Sequence, residues 1–237
     1  MDSLNHDLSQ VITEGKASMP EHPPPLVCKP QRVEPWRLVK IMKEFTDGFE
    51  TIRRYGLAAS FFGTSRASFE DAVYQHASEL ATRLSQKGFA IITGGAAGVM
   101  QAANKGAYES GGASVGLNID LSNGQGYNQF LTDKLQFDHF FVRKTMLTYA
   151  SEVYVYFPGG FGTLDEFFEI LTLIQTDKIR KVPIVLFGKT FWTPLLAFIE
   201  DMLYKKHQAI DKGDMELYTL VDSVDEAYDY IVKNVQC

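Results

Sequence analysis

Glu166 follows Thr163 by three residues in the run Pro158-Gly159-Gly160-Phe161-Gly162-Thr163-Leu164-Asp165-Glu166. That spacing of glycines, hydroxyl and carboxylate suits chemistry on a phosphorylated small molecule. Glycines let the backbone approach a ligand with no Cβ in the way. N–H groups at the start of a helix attract an anion, so Gly159, Gly160, Phe161, Gly162 and Thr163 form a candidate phosphate cradle with Glu166 beside it. Thr163-x-x-Glu166 also spells a capping box, in which Thr163 starts the helix and Glu166 reaches back to it. On this stretch alone the two readings stand side by side.

A second group lies upstream. Phe141-Val142-Arg143-Lys144-Thr145-Met146 sets two cations in the first turn of an expected helix. The helix dipole opposes cations there by ~0.3–1 kcal/mol each, so a compensating anion is implied. The plain alternative is a solvated basic pair. This helix ends just before the strand that leads into the glycine run, so Arg143 is expected near Glu166. A guanidinium suits that place because its planar fork holds a carboxylate or phosphate in a fixed orientation.

The elements that must position these residues read as alternating strands and helices. Expected strands are Leu57–Phe62, Phe89–Ile92, Ala113–Leu117, Lys134–Phe140, Val153–Phe157, Val182–Phe187 and Leu217–Val221. They are short, apolar and rich in β-branched and aromatic residues. Between them lie helical runs, among them one capped by Ser68, Phe141–Ala150, the helix after Gly162, Phe191–Leu203 and one capped by Ser223. Asn118–Gln129 reads as a loop. Such alternation predicts an α/β fold: one doubly wound, Rossmann-like parallel sheet with helices on both faces. In such sheets ligands sit beyond the carboxyl ends of the strands. Three glycine turns fall there: Gly63–Ser65, Gly94–Gly98 and Gly159–Gly162. Together they predict a nucleotide-sized pocket contacted by Gly63, Ser65, Gly94 and Gly95, with Met100 and Met146 at its edge for a flat base, and Lys144 beside Arg143.

Before the first strand, Pro35 opens a helix in which Trp36, Val39, Ile41, Met42, Phe45, Phe49 and Ile52 recur at roughly helical spacing. It is expected to pack outside the sheet or on a partner subunit. Residues 1–34, with five prolines from Pro20 to Pro30, read as a flexible tail. The organisation is thus a tail over 1–34 and one nucleotide-binding domain over 35–237.

Other chemistries find no support. The dinucleotide fingerprint and the P-loop are both absent, as is the serine nucleophile elbow. A formal net charge of −6 without a basic block disfavours nucleic acid as a partner. No apolar run is long enough for a membrane span, and no signal peptide is read. Cys28 and Cys237 form no disulfide framework, which fits a reducing cytoplasm. The five histidines lack metal-ligand spacing, so no metal is expected.

The segments Phe141–Met146 (FVRKTM), Pro158–Glu166 (PGGFGTLDE) and Thr93–Met100 (TGGAAGVM) resemble the LOG ("lonely guy") family, often labelled "possible lysine decarboxylase". The resemblance runs from about Leu57 to the C-terminus. It implies a nucleoside 5′-monophosphate phosphoribohydrolase acting on AMP or a cytokinin ribotide, with Glu166 and Arg143 as the catalytic pair. By the same resemblance the glycine loop with Thr163 holds the 5′-phosphate, no cofactor is needed, and the assembly is a homodimer. Gly63-Thr64-Ser65-Arg66 departs from the two serines that many members carry after the first glycine. Asp165, Asp138 and His139 are candidate donors of a proton to the leaving base. Pyridoxal-dependent lysine decarboxylation finds no partner for the cofactor's ring nitrogen. The remaining alternatives are a carrier of a nucleotide or nucleotide-like cofactor on the same fold, and a single-strand DNA-binding relative that the acidic charge opposes.

Overall fold

The computed structural model describes residues 34–120 and 126–235. The expected tail over 1–34 falls, apart from Glu34, outside the described residues.

Helix α1 (Pro35–Ile52) precedes the sheet. Then follow β1 (Ala58–Phe62), α2 (Ala72–Gln86), β2 (Ala90–Thr93), α3 (Val99–Glu109), β3 (Ser114–Ile119) and β4 (Asp133–Phe137). The chain continues through α4 (Phe140–Thr148), β5 (Val153–Tyr156), α5 (Phe161–Gln175), β6 (Ile184–Phe187) and α6 (Lys189–Phe198). It closes with β7 (Thr219–Val221) and α7 (Val224–Asn234). The seven strands form one sheet in the order β4-β3-β2-β1-β5-β6-β7, and every pairing is parallel. The order reverses direction at β1 and β5, the place where doubly wound sheets open a crevice. The α/β fold read from the alternation is the fold observed.

Side chains alternate across each strand, and this period of two builds two cores. In β5, Val153 and Val155 join the cluster under α2, α3 and α7, while Tyr154 and Tyr156 join the one under α4, α5 and α6. Strands β1, β2, β3, β5 and β6 are buried along their whole length, as inner strands covered on both faces must be. Edge strand β4 is only partly buried, which explains its mixed sequence.

Several boundaries differ from expectation. Strand β4 stops at Phe137, because residues 138–140 turn into α4. Strand β3 extends to Ile119, so Asn118 lies on a strand and not in a loop. Ser68 does not cap α2. The cap is Asp71, whose carboxylate accepts from the Ser68 N–H and hydroxyl. The helix expected over Phe191–Leu203 is α6, continued as π-helical turns over Ile199–Lys206. Ser223 caps α7 as expected, accepting from Glu226 N–H.

Helix α1 packs on α4 and β4 outside the sheet. Ile41, Phe45 and Ile52 face the core, whereas Trp36, Val39, Met42 and Phe49 of the same periodic set face outward.

Candidate active site

Beyond the carboxyl ends of β1, β2, β3 and β5 lies a cavity of about 720 Å³. All three glycine turns reach it. The turns also interlock. Val99 N–H donates to Thr64 O, Thr64 N–H donates to Pro158 O, and Val99 side-chain carbons sit within 2.8 Å of where a Gly63 Cβ would be. The turn after β2 is held from below by a buried polar relay. Thr93 Oγ1 donates to Asn104 Oδ1 and accepts from Gly95 N–H, and Asn104 Nδ2 donates to Ser114 Oγ.

The cradle opens α5. The helix starts at Phe161, with Gly160 as its N-cap and no side chain capping it. Thr163 and Glu166 therefore lie inside the first two turns, and the capping-box alternative does not describe this helix start. Thr163 N–H donates to Gly160 O, and its side chain sits against Gly159 where any Cβ on residue 159 would collide with it. Phe161 projects 93% exposed at the mouth of the cavity.

Glu166 is buried and lines the cavity, and among the described residues no group hydrogen-bonds its Oε2. It is held from below. Tyr156 Oη donates to the Glu166 carbonyl, and Phe167 packs edge-on against Tyr156 and Trp192. Burial raises the Glu166 carboxyl to about 7; Arg143 and Lys144 pull it down, and Glu169 and Asp165 push it up.

Arg143 comes from α4. Its Nε donates to Leu117 O at 2.9 Å, and its guanidinium lies over Gly94. Burial holds the guanidinium below its ordinary value, while the Glu166 charge works the other way. Gly94 also leaves room for Met100, whose Sδ sits 2.8 Å from where a Gly94 Cβ would be.

Of the expected site residues, Gly63, Ser65, Gly94, Met100, Arg143, Gly159, Gly160, Phe161, Gly162, Thr163 and Glu166 line the cavity together. Three do not. Lys144 turns to the flank of α5, where it pairs with Asp165 at 2.6 Å and Glu169 at 3.1 Å. Burial works against the charge, but these two ion pairs outweigh it and hold the ammonium above the ordinary lysine value. Met146 is fully buried between α4 and α1, with its sulfur over Gly48. Gly95 serves the turn itself: its φ is +70°, and a Cβ there would lie 3.1 Å from Gly116 Cα. The three candidate proton donors are likewise elsewhere. Asp165 pairs with Lys144, Asp138 with Lys40, and His139 with Glu44. Thr64 lines the cavity from within the expected Gly63–Ser65 turn, and residues not anticipated join it: Asn118 and Ile119 at the end of β3, Phe140 at the start of α4, and Arg66 after β1. Asn118 is buried, and its Nδ2 has no hydrogen-bond partner among the described residues. The signal for it was its place after an apolar strand run, masked by the Asn- and Gly-rich segment that follows.

Among the described residues, no His, Cys, Asp and Glu cluster suited to a metal ion occurs, and no helix is long and apolar enough to cross a membrane. Among the described residues no lysine lines the cavity, so the site they form does not fit a pyridoxal cofactor held as a Schiff base.

A family described as "possible lysine decarboxylase" matches residues 100–231. The chain is 29% identical over 113 residues to the cytokinin riboside 5′-monophosphate phosphoribohydrolase of Rhodococcoides fascians, covering 46% of this chain and 57% of that protein. It is 27% identical over 164 residues to a probable enzyme of the same name from Oryza sativa subsp. japonica, covering 65% of this chain and 63% of that protein. The chain thus spans about three fifths of the length of these two relatives. Among solved structures, the molybdenum cofactor binding protein of Rippkaea orientalis superposes with a TM-score of 0.58 at 18% identity, over 76% of this chain and 97% of that one. At that identity the likeness speaks for the fold alone. With the family match spanning more than half of its residues, the chain belongs to the "possible lysine decarboxylase" family, the LOG family.

Proposed function

We propose that this protein is a phosphoribohydrolase that cleaves the N-glycosidic bond of a nucleoside 5′-monophosphate, of the AMP or cytokinin ribotide class, to free base and ribose 5-phosphate. The observation that carries this reading is Glu166: a buried carboxylate, with one oxygen unpaired among the described residues, on a side chain that lines a cavity of nucleotide size and belongs to the helix whose N-terminus forms the glycine cradle. The named activity of the two relatives supports the same class.

The division of labour follows from the geometry. The 5′-phosphate binds at the start of α5, where Gly160, Phe161 and Gly162 offer N–H groups and the helix dipole favours an anion. Glu166 lies five residues further along, roughly 7 Å of helical rise. That is comparable with the span from a 5′-phosphate to the anomeric carbon. Cleavage builds positive charge on the ribose, which a carboxylate stabilises. Glu166 takes a proton from the attacking water, hydroxide bonds to the anomeric carbon, and the glycosidic electron pair leaves with the base. With its affinity for protons set near neutrality, Glu166 can then return that proton to the departing base, so the balance closes without a second acid. Arg143 keeps a positive charge beside Glu166, which preserves a useful fraction of the ionised form. Phosphate binding supplies the energy that places the sugar, so adenosine should be a poor substrate.

The outward apolar set on α1, with Trp36 and Met42 each 66% exposed, supports a homodimer. A cytoplasmic setting rests on cysteine usage alone. A panel of nucleoside monophosphates assayed for free base tests the activity. Tight binding without free base from any of them would move the reading to a carrier of nucleotide-like cofactors.

A further inference from the structure

Glu44 is the charged residue among those that α1 buries, at 9% exposed, and the chemistry above does not use it. Its carboxylate sits at the entrance to α4. Oε1 accepts from the Asp138 N–H at 3.3 Å and lies 3.0 Å from His139 Nδ1, and Oε2 accepts from the His139 N–H at 3.2 Å. His139 is the N-cap of α4, yet its own side chain caps nothing. Helix α4 therefore takes its anchoring anion from another helix.

Arg143 and Lys144 are the fourth and fifth residues of α4 and have carboxylates of their own in Glu166, Asp165 and Glu169, whereas Glu44 meets the amino end of the helix itself. A carboxylate at a helix N-terminus is favoured by the helix dipole. The anchor reaches the cavity by a short path. His139 O accepts from the N–H groups of both Val142 and Arg143, and Arg143 Nε then donates to Leu117 O. One helical turn beyond Glu44, Gly48 admits the Met146 sulfur, so α1 meets α4 at two points on one face.

We infer that Glu44 is a positioning residue for Arg143: by holding the N–H groups of Asp138 and His139 it sets the first turn of α4, and with it the guanidinium above Gly94. The inference rests on the proposed role of Arg143. Glutamine is the informative replacement. It keeps the side-chain length but turns one oxygen into an NH₂ group that faces donors.

The test compares full-length wild type with Glu44→Gln, Arg143→Lys and the double variant. Folding is checked by circular dichroism, turnover is measured with AMP, and AMP affinity is measured by calorimetry. Glu44→Gln is expected to lower kcat about tenfold while remaining folded. In the Arg143→Lys background the same change should cost less than about twofold, because the group it positions is already altered. Equal losses in both backgrounds, or a lower melting temperature with unchanged kcat, would overturn the inference. If wild type binds AMP but releases no adenine, the hydrolase reading fails and the same four proteins decide by affinity. Weakening by Glu44→Gln only when Arg143 is present supports the tether, and equal or no weakening overturns it. Absence of both turnover and AMP binding overturns both readings together.

Discussion

The guanidinium of Arg143 occupies the space that a side chain on residue 94 would fill. Gly94 thus belongs to the site through what it lacks. It carries no left-handed φ, so alanine there brings a steric change without backbone strain. Gly94→Ala should displace Arg143 and Met100 and lower kcat/KM with AMP by about tenfold or more, while the chain stays folded. Steady-state kinetics beside circular dichroism check this. Unchanged kinetics would show that the position of Arg143 does not matter.

The acid limb of kcat/KM should fall near neutrality, because burial raises Glu166 to about 7 and only the ionised form can take a proton from water. Lys144 helps to keep that carboxylate ionised, and it also neutralises Asp165 and Glu169 beside it. Lys144→Gln should therefore move the limb to higher pH. A shift to lower pH, or none, would detach Lys144 from the titration of the site.

Stability carries the same signature with a definite sign. The Glu166 carboxyl is raised from 4.5 to about 7, so between those values the folded protein keeps a proton that the unfolded chain releases. Stability contributed by this group is present below 4.5 and is lost as pH rises through about 7. Above that, the fold holds a desolvated carboxylate at a cost on the order of 3 kcal/mol. Glu166→Gln should melt higher than wild type at about pH 8, with the gain shrinking as pH falls. Thermal melts across that range check it, and a variant less stable than wild type at high pH would contradict it.

The outward apolar residues of α1, Trp36, Val39, Met42 and Phe49, should be covered in solution by a second copy. Light scattering at micromolar concentration is expected to give twice the chain mass. Replacing Trp36 and Met42 together by glutamine should shift it toward monomer. A monomeric wild type would remove the dimer from the account.

The sheet and the three glycine turns were legible because buried parallel strands leave apolar runs and the turns leave glycines at their ends. What could not be read is rotation. Whether Lys144 or Arg143 faces the cavity depends on how α4 is turned, and that is set by Glu44 and Gly48 on a helix about a hundred residues upstream. Met146, read as a pocket edge, faces the other way for the same reason. The capping-box alternative at Thr163 persisted because a helix that starts at Phe161 without a side-chain cap leaves no signal of its start. Asn118 stayed hidden where a buried strand runs into a segment of loop composition.

The central claim is that Glu166 cleaves a glycosidic bond while the cradle holds the phosphate, and chromatography of an AMP reaction tests it most directly. Wild type should yield adenine and ribose 5-phosphate, and Glu166→Gln should bind AMP yet yield neither. Adenosine and inorganic phosphate from AMP, equal rates on AMP and adenosine, or near wild-type turnover by Glu166→Gln would contradict the account.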